Sequence, residues 1–337
     1  MMKSEFDNIK SILLLGDESK HYDVSVVIPT YNKVDTMLNL VDILCNHKVS
    51  GFTFNIVVAD NGDLYTSRLV KELGGLSEKY NRNILYYKNA QNIGMYPNWN
   101  RVIQLANCTY AVIIHSDDMM LEGCLQHMWE EMQKLPSKSV LVVDRYHVNS
   151  SEFSNDFKPS RIGLSKWERR LLKIFRYDGH VVHKAKPMDV VLINVPIAPL
   201  CFMINKSLHS EVGGWTEIME GWPGDLEYVL KLSHIGKLYY SDYQYALKRN
   251  REHALSPIVS IPYIYVSNLM IEYYFSPIIK PLIRLLNRKK LVQQAKNSFG
   301  MNDGQIRYLT SSLDISPNEK KRLGKYKKML RLFLILR

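Results

Sequence analysis

The stretch VIIHSDDMM, residues 112–120, ends an apolar run in two adjacent carboxylates, Asp117 and Asp118. Like charges side by side repel, and desolvation at the end of a buried strand adds to the penalty. A divalent cation resolves that repulsion by supplying the largest local charge. Carboxylates combined with substrate phosphates are a common way to hold Mg2+ or Mn2+. A plainer role is also open. Either aspartate could start the following helix, where the dipole favours negative charge. Capping explains one aspartate and leaves the other.

Other groups could share in such chemistry. Asp60-Asn61-Gly62 follows the apolar FNIVVAD, and reads either as a turn or as a recognition edge for a base or ribose. Asn92-Ile93-Gly94 is a loop that needs no function. Asp225 and Glu227 open a helix-like stretch in GGWTEIMEGWPGDLEY. They are helix-start carboxylates, or one of them is a general base, since tryptophans nearby can stack on a sugar and raise a carboxyl pKa. Arg249, Arg251 and His253 lie in KRNREHALS, a solvated basic face or a cationic group for phosphates.

These residues need elements to place them. VSVVIP, FNIVVAD, NILYYKN and YAVIIHSDD are apolar runs suited to strands buried on both faces. Between them lie helical patterns: TYNKVDTMLNLVDILCNH, LYTSRLVKELGGL closed by Gly74-Gly75, and PNWNRVIQLAN with Pro97 in its first turn. MLEGCLQHMWEEMQKL follows as an amphipathic helix. Strand–helix alternation predicts an α/β fold, a mostly parallel central sheet flanked by helices. Ligands bind outside the carboxyl ends of such strands, where Thr30-Tyr31-Asn32, Asp60-Asn61, Asn92 and Asp117-Asp118 cluster. Residues 1–20 read as a loosely attached helix, and VPIAPLCFMIN as a strand.

The 337 residues suffice for one large domain with an appendage. Lys and Arg number 44 against 33 Asp and Glu, a net charge of +11 that points to an anionic partner. The positive residues concentrate late in the chain without an RNP-like aromatic motif, which argues against nucleic acid. Cys45, Cys108, Cys124 and Cys201 form no CxxC pair and suit free thiols in a reducing cytosol. MMKSEFDNIK has no apolar core of a secretory signal. GxGxxG, GxxxxGK[ST] and GxSxG are absent, so classical dinucleotide, P-loop and hydrolase-elbow sites are unsupported.

In order, VSVVIPTYN, VVADNGD, QNIGMYPNWNR, HSDD, GGW…GWPGDLEYVLKL and RNREHALS resemble family 2 glycosyltransferases, inverting enzymes of GT-A fold, over about residues 22–256. The resemblance implies a nucleotide site lined by Pro29, Thr30, Tyr31 and Asn32, with Asp60 on the base. Asn92, Gly94 and Asn100 would pack beside the nucleotide. It puts HSDD in place of a DxD-type motif: Asp118 on a metal, Mn2+ or Mg2+, that bridges the diphosphate, and Asp117 on ribose or a metal-bound water. Asp225 matches the general base, and His253 a position near the metal or diphosphate. Departures are His115 where Asp is common, Asn61 for a second Asp, and Gly224 where Glu often precedes the base; the last keeps Glu227 open.

These roles imply transfer of a sugar from a nucleotide-diphosphate donor, a UDP-sugar by preference, to a hydroxyl of a saccharide acceptor. The expected domains are a helical lead-in at 1–21, a catalytic domain at 22–256 and a basic helical extension at 257–337. The catalytic domain divides into a nucleotide-binding half, 22–120, and an acceptor-binding half, 121–256. In the tail, Lys320, Lys321, Arg322, Lys325, Lys327, Lys328 and Arg331 precede or interleave Leu332, Phe333, Leu334, Ile335 and Leu336. Such a helix suits a membrane interface, or packing on the catalytic domain or a second subunit. The membrane reading implies a cytoplasmic protein at the cytoplasmic membrane face, a lipid-linked acceptor and surface polysaccharide synthesis. A non-catalytic sugar-nucleotide or glycan-binding protein on the same fold is the alternative.

Overall fold

The computed structural model describes residues 8–148, 157–161, 182–192, 200–216 and 224–249, with 302 and 304. The apolar runs form strands. β1 is Ser11–Leu15, β2 Tyr22–Thr30, β3 Phe54–Asp60, β4 Ile84–Asn89, β5 Cys108–Ile113, β6 Met119–Met120 and β7 Val140–Val148. β8 is Ser160–Arg161, β9 Val182–Lys184, β10 Phe202–Asn205 and β11 Leu238–Arg249. The periodic segments form helices: α1 Val34–Cys45, α2 Thr66–Tyr80, α3 Met95–Leu105 and α4 Cys124–Met132. Pro187–Leu192 is α5, Lys206–Val212 is α6 and Gly224–His234 is α7.

One sheet runs β1-β4-β3-β2-β5-β10-β7-β11-β6, with β8 and β9 also paired to β11. β4, β3, β2 and β5 are mutually parallel, and so are β7 and β11; these ladders carry most of the paired length. β10 lies antiparallel between β5 and β7 and joins the two parallel blocks. The continuous apolar runs follow from cover on both faces. Alternate residues Val27, Val57 and Ile113 join Trp99, Val102, Leu208 and Val229 from α3, α6 and α7. Val26, Ile56 and Val58 join Met37, Leu40, Leu73 and Met128 from α1, α2 and α4.

Two expectations change. Within the N-terminal segment expected as a helix, residues 11–15 form β1, antiparallel on β4. This edge position satisfies outer backbone groups of β4, and Ser11 Oγ donates to Asn89 Oδ1 at 2.6 Å. The helix expected to close at Gly74-Gly75 runs on to Tyr80 and ends at left-handed Asn81 (φ 46°). Buried Leu69 and Leu73 with partly buried Leu76 hold it on the sheet beyond the glycines. Strand structure in VPIAPLCFMIN is confined, among the described residues, to Phe202–Asn205. The extension at 257–337 lies outside the described residues apart from 302 and 304. Among the described residues no helix is long and apolar enough to cross a membrane.

Two histidines are buried in this framework, His47 after α1 and His209 in α6. Burial pushes His47 down to about 4 and His209 to about 3. An unfolded chain binds protons at these sites from about pH 6.5 downward, so the unfolded state gains them first. Their contribution to stability is therefore complete above about pH 6.5 and is lost as pH falls towards 4. The loss at full effect is on the order of 3 kcal/mol for His47 and about 5 kcal/mol for His209, the latter complete only near pH 3. Urea midpoints between pH 7.5 and 4.5 should fall, and His209→Gln should flatten that slope. An unchanged slope in the variant would remove His209 from the account.

Candidate active site

The loops after β2, β3 and β4 are locked into one block. Asp60 ends β3, buried, and its carboxylate accepts from the Gly62 amide and the Tyr86 hydroxyl, both at 2.8 Å. Burial pushes its pKa up, against these two hydrogen bonds. The Asn61 amide donates to the Thr30 carbonyl at 3.0 Å. A Cβ at Gly62 would lie 2.4 Å from Asn32 Oδ1, so a side chain there would force Asn32 to shift. The turn expected at Asp60-Asn61-Gly62 thus holds the end of β2 in place, with Pro29 and Thr30 buried and Tyr31 exposed.

Behind that turn, buried Asn89 donates through Nδ2 to Asn61 Oδ1 (2.7 Å) and Asn98 Oδ1 (2.8 Å). Asn98 donates to the Ala59 carbonyl, and Asn61 to the Gly94 carbonyl. Asn92 is exposed, and its Oδ1 accepts from the Gly94 amide at 2.9 Å, which forms the loop's own turn. Asn100 clamps the backbone of Trp215 through both its amide groups, at 2.7 and 3.0 Å. Its place is therefore between the halves of the sheet.

Asp117 and Asp118 are each 6% exposed and lie past the end of β5. A turn closes from the Asp118 amide to the His115 carbonyl, and β6 then returns along β11. That pairing brings Arg249 to both aspartates. Its amide donates to Asp118 Oδ1 (3.1 Å) and its Nε to the Asp117 carbonyl (3.2 Å). His115 stacks on Trp99, with Nδ1 3.5 Å from Asp118 Oδ2. The capping alternative falls here: α4 begins at Cys124 after Gly123, too far along for either aspartate to serve its first turn.

Asp225 and Glu227 do start a helix, as expected, but in different settings. Glu227 accepts from the Thr216 hydroxyl and pairs with Lys231 at 2.7 Å. Asp225 accepts from the Leu226 amide at 2.9 Å. Trp215 is in the core, packed on Tyr228 and edge-on to Trp99. Gly224 meets a tight approach, because a Cβ there would lie 2.4 Å from the Thr216 carbonyl and 3.0 Å from the Tyr96 ring. Gly224→Ala should therefore displace the start of α7 and destabilise the protein by about 1–3 kcal/mol. A chemical unfolding midpoint equal to wild type would contradict this.

Asp118 and Asp225, distant in sequence, share the same two cations. Arg145 on β7 and Lys248 on β11 each interact electrostatically with both carboxylates. The sequence reading missed Arg145, Lys248 and Asn98. Arg145 had a legible signal: VLVVDRYH is an apolar run ending in charge, like VVAD and VIIHSDD. Lys248 opens KRNREHALS, the basic run read above as a cationic group for phosphates, but only Arg249, Arg251 and His253 are singled out there. Arg251 and His253 lie outside the described residues.

Among the described residues no three His, Cys, Asp or Glu side chains converge as a ready-made metal cage. The Asp117–Asp118 pair offers hard oxygen ligands that fit Mg2+ or Mn2+ with the shell completed by phosphate oxygens.

Residues 25–192 match the sequence profile of glycosyl transferase family 2. An uncharacterized glycosyltransferase of Methanocaldococcus jannaschii is 23% identical over 152 residues, 44% of this chain and 51% of that protein. The abequosyltransferase RfbV of Salmonella typhimurium is 28% identical over 102 residues, 30% of each chain. The chain thus spans about half or less of these relatives' length. Among solved structures, S. aureus TarS 1–349 in complex with UDP-GlcNAc superposes with a TM-score of 0.54 at 15% identity, covering 89% of this chain and 78% of that one. The mannosyltransferase PcManGT of Pyrobaculum calidifontis, in complex with GDP-Man and Mn2+, gives 0.52 at 12% identity, covering 91% and 84%. These likenesses show the GT-A fold.

Proposed function

This chain belongs to glycosyl transferase family 2 through residues 25–192, and we propose that it moves a sugar from a nucleotide-diphosphate donor to a saccharide hydroxyl with inversion. One observation carries the reading. Two buried carboxylates, Asp117 and Asp118, sit beyond the carboxyl end of β5, and Asp118 shares with Asp225 the field of Arg145 and Lys248. That joins an anion-handling end of the sheet to the helix-start carboxylate Asp225, while Glu227 is engaged by Thr216 and Lys231.

In this reading the donor half is 22–120 and the acceptor half 121–256. Pro29, Thr30, Tyr31, Asp60 and Asn92 line the nucleotide, and Asp117 contacts its ribose side. Asp118 would hold a divalent cation, with His253 as a further candidate. When bound, that cation supplies charge stabilisation to the departing diphosphate. Asp225 takes the proton from the acceptor hydroxyl as its oxygen attacks the anomeric carbon. Glu227, held by Thr216 and Lys231, fixes the first turn of α7. UDP is the preferred nucleotide, a lipid-linked saccharide the preferred acceptor, and the cytoplasmic membrane face the preferred location, with residues 320–337 as the contact. TarS with UDP-GlcNAc and PcManGT with GDP-Man and Mn2+ support a nucleotide-sugar donor and a cation.

Calorimetric titration with UDP, GDP and dTDP, with and without Mn2+, tests this. One nucleotide should bind, and more tightly with the cation. Failure of all three under both conditions would remove the donor site.

A further inference from the structure

The first amides of a helix have no partner within it. At the start of α7 the buried Gly224 amide donates instead to the Tyr96 hydroxyl at 3.1 Å. Tyr96 lies on α3, and Asn100 follows one turn later on the same face. Asn100 closes on the backbone of Trp215 through both its amide groups. That approach needs Gly214, where the backbone is left-handed (φ 64°) and a Cβ would lie 2.4 Å from Asn100 Oδ1. Thr216 then donates its hydroxyl to Glu227 and brings its carbonyl against Gly224. One face of α3 therefore holds residues 214–216 and the first turn of α7 together. Asn98 lies on the opposite face, about half a turn from both residues. It accepts from Asn89 at 2.8 Å and donates to the Ala59 carbonyl at 3.1 Å, beside Asp60.

We infer that Tyr96 and Asn100 are positioning residues for Asp225, and that α3 is the strut that sets its place relative to the turns after β3 and β4. What the strut serves rests on the transferase reading above. A base works only where its carboxylate, the attacking oxygen and the anomeric carbon line up, and a displacement of about 1 Å can cost about a hundredfold in rate. Asp225 is one residue past the Gly224–Tyr96 hydrogen bond, so that bond fixes where its backbone begins. Tyr96→Phe keeps the ring and takes the acceptor from the Gly224 amide. Asn100→Asp keeps the shape but turns a carboxylate oxygen on the Trp215 carbonyl, two acceptors where a 2.7 Å hydrogen bond stood. Both residues lie on the face away from Asn98. Each change should therefore move the base and leave the donor side in place.

The test is acceptor-free donor hydrolysis by the full chain, with radiolabelled UDP-GlcNAc and GDP-mannose as probes. Water attacks the anomeric carbon, the bond to the diphosphate oxygen breaks with its electron pair on that oxygen, and the water proton goes to Asp225. Tyr96→Phe and Asn100→Asp should each lower kcat about tenfold or more, with donor KM within about twofold of wild type. In an Asp225→Asn background either change should cost less than about twofold more, because the residue it positions is gone. Hydrogen exchange read by mass spectrometry should be faster in both variants across 224–234 and unchanged across 54–62 and 84–90. Unchanged kcat, a KM rise in place of the kcat loss, or a full further loss in the Asp225→Asn background overturns the proposal. Where wild type hydrolyses neither probe, exchange decides. Faster exchange confined to 224–234 then keeps the strut and counts against the transferase reading alone. Exchange equal to wild type, or raised equally across 54–62, overturns the strut.

Discussion

Asp225→Asn is expected to cut sugar transfer by about 10²–10⁴-fold while nucleotide affinity stays within a few-fold of wild type. The substitution keeps size and a carbonyl that can accept from the Leu226 amide at 2.9 Å, so the helix start should persist. What it removes is the ability to take a proton. Glu227→Gln is the informative partner. Its carboxylate is already engaged by Thr216 and Lys231, so its loss should lower stability more than turnover. Steady-state rates and unfolding midpoints for both variants separate the roles. A large rate loss confined to Glu227→Gln would transfer the base to that residue.

Asp118→Ala is expected to abolish the part of nucleotide binding that depends on Mn2+, a loss of about two orders of magnitude. The residual affinity should come from the β2, β3 and β4 loops and should not respond to the cation. Alanine also takes the acceptor from the Arg249 amide, which could loosen the β6–β11 junction. Asp118→Asn answers that concern, because its carbonyl can still accept the Arg249 hydrogen bond while the ligand charge is gone. Calorimetry with and without Mn2+, alongside thermal melts, reads both effects. Undiminished Mn2+ dependence in Asp118→Asn would take the cation away from this residue.

Much of the parallel block β2–β5 was legible because its signals are local. VSVVIP, FNIVVAD and YAVIIHSDD must be buried on both faces, and a parallel sheet with helices is how a chain achieves that. Their polar ends then fall at one edge by topology alone. The first segment was misread because SILLL is too short for periodicity to choose between helix and strand. The open edge of β4 made that choice. Gly74-Gly75 read as a stop, yet Leu69, Leu73 and Leu76 hold the helix on the sheet past them. Packing outweighs the propensity penalty of two glycines, about 1 kcal/mol each.

The sequence by itself determined the residue types: paired aspartates after an apolar run, a carboxylate at a helix start, and an ordered motif series. It also determined the class of fold, since continuous apolar runs and helical spacing are properties of the chain alone. Only the tertiary structure decided that neither Asp117 nor Asp118 caps α4, because that depends on β6 returning along β11 before the helix begins. Only it decided that Gly224 must be glycine, because the Tyr96 ring comes from a distant part of the chain and the Thr216 carbonyl folds back onto the helix start. Arg145 and Lys248 likewise meet Asp118 and Asp225 through the β7–β11 register. Charges couple through space over a few ångströms, and a linear sequence carries no record of which distant strands lie side by side.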